Sequence, residues 1–71
     1  MEVYNLAFSD NAKRLREEKQ YTQAELGKLV GVSQQVIGDY EKGKKLPTIV
    51  TGVDLAKALG TTVEKLVEGN T

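Results

Sequence analysis

The stretch TQAELGKLVGVSQQVIGDYEKG, residues 22–43, carries two helix starts and two helix stops in close succession. Thr22 can cap a helix, because its hydroxyl can accept one of the N–H groups left unpaired at a helix start. Glu25, three residues on, completes the capping-box spacing. Leu26, Leu29 and Val30 recur at helical spacing and make one apolar stripe. Gly31 stands where a helix ending in a left-handed residue favours glycine, which has no Cβ to clash there. Val32 is a buried-type residue inside the turn. Ser33 is a second cap, Val36, Ile37 and Tyr40 form a second stripe, and Gly43 stops the second helix.

Two short helices joined by a turn of three or four residues containing glycine make a helix-turn-helix, here at about residues 23–42. The pattern T-Q-x-E-L-x-x-x-x-G-V-S-x-x-x-I-x-x-Y-E-x-G, followed by Pro47 and by LAKALGTTVEKL at residues 55–66, resembles the Cro/CI-type (XRE-like) helix-turn-helix family of phage and bacterial transcriptional regulators. The resemblance runs over residues 8–66 and fixes caps, turn, stripes and downstream helices in one register. It implies an all-α fold, a compact five-helix lambda-repressor-like domain that binds double-stranded DNA.

Outward from this stretch the signals are simpler. Residues 1–8, MEVYNLAF, alternate loosely and carry no cap, so residues 1–7 are expected to be an N-terminal arm, whether extended, a short strand or a frayed tail. The resemblance places Phe8 in the core. Ser9 is the expected cap of a first helix over residues 9–19, with Ala12, Leu15 and the aliphatic stem of Lys19 at three- and four-residue spacing. Tyr21 stands where relatives have leucine, which implies a core ring.

Beyond Gly43, KKLP reads as a loop from which Leu46 can fold back on the core, and Pro47 suits a first helical position, where a missing N–H costs nothing. A fourth helix is expected over residues 48–59, with Ile49, Val53, Leu55, Ala56 and Leu59 apolar. Gly52 is unusual inside it. Relatives have leucine there, and glycine costs about 1 kcal/mol of helix propensity against alanine; close helix approach or a thinned dimer surface are the two explanations. Gly60 ends this helix, Thr62 caps a last one docked by Val63, Leu66 and Val67, and residues 69–71 form a tail. With no repeat, linker or low-complexity segment, residues 1–71 read as one domain.

Composition narrows the function. A chain of 71 residues buries only about 60% of its unfolded surface, so stability is expected to be modest. There is no cysteine and no histidine. That removes thiolate chemistry, disulfides and the commonest general base and metal ligand, and argues against an enzyme. No cofactor, metal or small-molecule ligand is called for. No apolar run approaches the roughly 20 residues of a membrane helix, and no signal pattern opens the chain, so the expected location is cytoplasmic. Net charge is zero, yet residues 11–45 hold eight of the ten basic residues against five acidic ones, a local charge of +3. A protein neutral in sum can still present a basic face; ordinary scatter in a small domain is the alternative.

The second helix of such a motif lies in the DNA major groove with its first residues against base edges. Those residues are Ser33, Gln34, Gln35 and Val36. A glutamine amide matches the N6/N7 edge of adenine bidentately, although glutamine is also common at solvated helix starts. Val36 would meet a thymine methyl if exposed, or pack in the core. Asp39, one turn beyond Gln35, sits where the family often contacts bases, but rarely with an acid; it can accept from cytosine N4 and also repels phosphate.

The resemblance gives Gln23 a phosphate contact, with capping as the alternative. Lys42, Lys44 and Lys45 are the densest basic run and the expected phosphate contacts, with Arg14 and Lys13 weaker ones. Relatives with Arg16 and Glu41 pair them, which implies a structural ion pair between the first and third helices. Gly27 stands where relatives have alanine, implying close helix crossing.

The resulting expectation is a repressor acting as a homodimer on a palindromic operator, its dimer contacts coming from the fourth-to-fifth helix region or the arm. The competing one is the same fold used as a protein-interaction module, an antitoxin or regulatory cofactor.

Overall fold

The computed structural model describes residues 2–69, with side chains from Ala7 onward. Met1 of the expected arm and Asn70 and Thr71 of the expected tail lie outside them. Five helices follow in order: α1 (Glu2–Glu18), α2 (Gln23–Val30), α3 (Gln34–Glu41), α4 (Ile49–Leu59) and α5 (Val63–Val67). There is no strand among the described residues.

The caps set the boundaries. Thr22 accepts from the Glu25 N–H at 3.0 Å while the Glu25 carboxylate accepts from the Thr22 N–H at 2.8 Å, a reciprocal capping box. Ser33, Thr48 and Thr62 cap α3, α4 and α5 in the simpler way, each accepting from the N–H three residues on. Gly31 (φ +78°) closes α2 in the left-handed region. The turn it permits brings the Val32 carbonyl so close to α2 that a Cβ on Gly27 would lie 2.5 Å from it. Only glycine fits at residue 27 without moving backbone.

The core is built from all five helices. Phe8 and Ala12 of α1, Leu26 and Val30 of α2, Ile37 and Tyr40 of α3, Leu55, Ala56 and Leu59 of α4 and Leu66 of α5 are buried together. Phe8 meets the Tyr40 ring edge-on, with centroids 5.8 Å apart. Leu15, Tyr21, Val32, Val36, Ala58 and Val67 pack against this cluster partly exposed, so the Tyr21 ring borders the core instead of entering it.

Several expectations are corrected. The first helix begins at Glu2, not at residue 9. No glycine or proline interrupts residues 2–18, and a helix once nucleated propagates at little cost. Ser9 is therefore inside α1, where its hydroxyl donates to the Tyr40 carbonyl at 2.7 Å and ties α1 to the end of α3. Pro47 precedes the α4 cap, Thr48, instead of opening the helix. Leu29 is 57% exposed, because at about 100° per residue it falls off the arc shared by Leu26, Gly27 and Val30. Ile49, Val53 and Val63 are likewise exposed, Ile49 at 87%. The buried face of α4 is Gly52, Leu55, Ala56 and Leu59, an arc of about 100° that leaves Ile49 and Val53 at its margin. Leu46, at 45% exposed, only partly folds back. Close approach does not explain Gly52: the nearest atom to an added Cβ would be Pro47 Cγ at 4.0 Å.

Two features were not legible beforehand. Gln20 ends α1 with φ +63°, the only non-glycine residue at positive φ among those described. Asn11 is buried, and its amide nitrogen lies 2.9, 3.0 and 3.2 Å from the carbonyls of Leu66, Glu68 and Lys65, clasping the end of α5.

Two stability measurements follow from this packing. Gln20→Gly relieves a left-handed side-chain clash and should stabilise the domain by about 0.5–1 kcal/mol, less the extra entropy of an unfolded glycine. Urea denaturation should show a higher midpoint; a lower one would mean the Gln20 side chain stabilises the turn. Burial pushes the Tyr40 phenol above its ordinary value of 10.0. The folded state thus holds this proton more tightly than the unfolded chain, so the contribution is complete below pH 10 and is lost as pH rises through the raised value. Alkaline titration of the melting temperature should fall less steeply in Tyr40→Phe than in the wild type; parallel curves would exclude Tyr40 as the cause.

Candidate functional site

The start of α2 and the length of α3 enclose a broad concavity of about 520 Å³, lined by Gln23, Ser33, Gln34, Gln35, Gly38, Asp39, Lys42 and Lys44. Both helix N-termini open toward it, each with a partial positive charge from its unpaired N–H groups. Gln34 and Gln35, the first residues of α3, are exposed. Gly38 lies behind them, and the room it leaves is taken by the Gln23 side chain, 3.7 Å from where a Cβ would be.

Gln23 is held from below. Its amide nitrogen donates to Glu41 Oε1 at 3.1 Å. Glu41 in turn accepts from Arg16 Nε at 2.6 Å and Arg16 Nη2 at 3.2 Å, a forked pair, while Arg16 Nη1 donates to the Tyr21 carbonyl at 2.7 Å. The Glu41 side chain is 4% exposed and that of Arg16 12%. The hydrogen bond to Glu41 raises the Arg16 pKa above its already high ordinary value, against the opposing effect of burial. The guanidinium stays charged at any accessible pH. One N–H of the Gln23 amide remains to serve the concavity.

Asp39 carries an interaction that sequence reasoning missed. Its carboxylate lies 3.8 Å from Lys45 Nζ. The cause is the end of α3: Gly43 turns left-handed (φ +75°), its N–H reaches the Tyr40 carbonyl, and the Lys44 N–H reaches the Asp39 carbonyl at 2.9 Å. This fold-back reverses the chain and returns Lys45 to α3. The glycine at residue 43, with a lysine two residues on, was the available signal. The acid on the α3 face therefore has a cation beside it.

The remaining candidates fall into two groups. Ser33 lines the concavity, but its oxygen is occupied by the cap to Val36, leaving its O–H as donor. Val36 is half-buried and packs against the core. Arg14 lies elsewhere, on α1, where it pairs with Glu18 at 3.3 Å and donates to Asn11. The structure thus gathers Gln23, Ser33, Gln34, Gln35, Asp39, Lys42 and Lys44 at one site, with Lys45 at its margin through Asp39. It does not gather Arg14. No helix among the described residues is long and apolar enough to cross a membrane.

Comparison with known proteins places this geometry among relatives. Residues 13–66 match the family model described as Helix-turn-helix. The HTH-type transcriptional regulator y4dJ of Sinorhizobium fredii is 44% identical over 57 residues, covering 80% of this chain and 74% of that protein. The P22 c2 repressor, solved in complex with a synthetic operator, superposes with a TM-score of 0.85 at 30% identity over 89% of this chain and 96% of its own. Hydroxypropylphosphonic acid epoxidase from S. wedmorenis superposes with a TM-score of 0.86 at 24% identity. This chain spans 36% of that enzyme, and the likeness is one of fold alone.

The Gln23–Glu41–Arg16 arrangement separates structural from surface roles. Glu41→Ala leaves the buried Arg16 charge without its partner and should cost about 3–5 kcal/mol. Gln23→Ala removes one hydrogen bond to a charged group and should cost about 1.5–3 kcal/mol. Urea unfolding followed by circular dichroism checks both. Equal losses would show that the ion pair adds nothing beyond the Gln23 contact.

Proposed function

The chain belongs to the helix-turn-helix family, and on that premise we propose that it is a sequence-specific, double-stranded-DNA-binding transcriptional regulator that represses as a homodimer on a palindromic operator. The observation that carries the reading is the concavity where Gln34 and Gln35 open α3 beside Gln23 and the lysines that follow the helix. Laid in a major groove, α3 presents two adjacent amides to base edges, each suited to the N6/N7 edge of adenine. Ser33 adds a hydroxyl donor. Gln23 at the α2 start and Lys42, Lys44 and Lys45 flank the groove as phosphate contacts, which set position while the glutamines set sequence. Val36 offers at most its exposed edge to a thymine methyl, and Arg14 a peripheral phosphate contact once it leaves Glu18.

Asp39 is the discriminating residue in this scheme. With Lys45 beside it, its charge is partly balanced before DNA arrives. Against cytosine the carboxylate gains the N4 donor; against guanine or thymine it meets acceptors only, and such like pairing is costly. Two subunits on half-sites about 34–36 Å apart supply the affinity that one small domain lacks.

Two observations favour a second reading, a protein-interaction module such as an antitoxin or regulatory cofactor: the chain has zero net charge, and it carries an acid on the α3 face.

Selection from random duplexes at two salt concentrations separates the two. The DNA reading expects an enriched palindrome that weakens with salt, a changed sequence preference in Gln34→Ala or Gln35→Ala, and a salt slope shallower by about 1 in Lys42→Ala and in Lys44→Ala. Asp39→Ala should broaden the preference at one base pair without lowering affinity. No enrichment by a folded protein would transfer the assignment to the interaction module.

A further inference from the structure

Of the three lysines that follow α3, one is unlike the others. Lys42 and Lys44 line the concavity and form no ion pair among the described residues. Lys45 is not part of the lining, and its Nζ lies 3.8 Å from the Asp39 carboxylate.

The two members of that pair are unequal. The Asp39 side chain stands on a helix and is 20% exposed, whereas that of Lys45 is 55% exposed and ends a long flexible stem. The backbone beneath Lys45 is fixed without its help. The Gly43 N–H donates to the Tyr40 carbonyl at 3.2 Å, and the Lys44 N–H to the Asp39 carbonyl at 2.9 Å. Side-chain torsions alone can therefore carry the ammonium away from Asp39. An ion pair this open to solvent is weak and gives way readily. What opposes its departure is the carboxylate left behind.

DNA closing over the concavity takes Asp39 further from water, and a carboxylate in that position needs a partner. At cytosine the N4 amine supplies one. Guanine offers only the acceptors N7 and O6, and Lys45 is then the partner that remains. Phosphate competes for the same ammonium. Lys45 can go to phosphate without stranding Asp39 only where the base edge has taken its place.

We propose that Lys45 is a specificity-determining residue that touches no base: it contacts phosphate when Asp39 meets a cytosine and stays on Asp39 when Asp39 meets a guanine. This coupling rests on the reading of α3 as the groove helix and adds a second layer to it. One base pair changes the number of phosphate contacts, so discrimination there weakens as salt rises. Lys42 and Lys44 have no such pair to return to and hold phosphate at either base.

The full chain is titrated, over a range of salt, against two duplexes. One is the selected operator; the other has guanine for cytosine, in one half-site, at the base pair where Asp39→Ala broadens the preference. One phosphate contact adds about 0.9 to the slope of log K against log salt. The wild-type slope should be steeper by that amount on the cytosine duplex, so a fourfold rise in salt lowers the discrimination by about three- to fourfold. In Lys45→Ala both duplexes should give the shallower slope, and in Asp39→Ala both should give the steeper one, with helical circular dichroism unchanged in each. Lys42→Ala should lower both slopes equally and keep their difference. Equal wild-type slopes overturn the coupling and leave the DNA reading standing. So does a slope difference that persists in Lys45→Ala or Asp39→Ala, or a shallow pair of slopes in Asp39→Ala. An operator at which Asp39→Ala changes no preference, or prefers a base other than cytosine there, overturns it as well. A folded wild type that selects no duplex removes the DNA reading and the coupling together.

Discussion

A carboxylate buried where three helices meet governs the geometry of the rest. Glu41, the last residue of α3, accepts a forked pair of hydrogen bonds from Arg16 of α1 and a third from Gln23, the first residue of α2. A charge removed from water is tolerated only when its partners are close and correctly oriented. Apolar side chains can slide past one another at modest cost, but a guanidinium–carboxylate fork fits in one relative orientation. The crossing of α1, α2 and α3 is thereby set by polar chemistry, while Phe8, Ile37, Tyr40 and their neighbours supply the bulk of the burial. Gln23 is at once the tip of this network and the rim of the concavity. Its position relative to Gln34 and Gln35 is inherited from the ion pair beneath it.

The distribution of charge follows the same economy of parts. The chain is neutral in sum, and the concavity contains only two lysines of its own. Two helix N-termini add fixed partial positive charge there, which does not appear in any count of residues. Asp39 would oppose them, were Lys45 not returned to its side by the left-handed turn at Gly43. Sequence totals therefore understate how favourable the site is to an anion.

The fold was legible to the extent that it is encoded locally. Thr22 with Glu25, Gly31, Ser33, Gly43, Gly60 and Thr62 each act within a few residues, and α2 and α3 start and stop, α4 stops and α5 starts beside those signals. What escaped reading depends on distance or on angle. Ser9 looked like a cap because its tertiary acceptor, the Tyr40 carbonyl, lies thirty-one residues away. Leu29, Ile49 and Val63 carry the right residue types but stand outside the buried arcs, which only the packed partner helix defines. At the site, the glutamines were identifiable from their place after the Ser33 cap. The Asp39–Lys45 pair was not, since it is created by the path of the loop. Arg14 was named for its charge alone, and charge says nothing about which side of α1 it occupies.

Asn11 has a consequence for how the sequence can vary. It holds α5, a helix of five residues, by backbone carbonyls and not by any side chain of that segment. A clasp of this kind is blind to side-chain identity: provided Leu66 continues to fill its place in the core, the outward residues 64, 65 and 68 can change charge or size without loosening the attachment. The tether and the surface are thus separately inherited. This leaves the surface of α5 open to acquiring new neighbours, while the concavity, which takes no residue from α5, keeps its own lining.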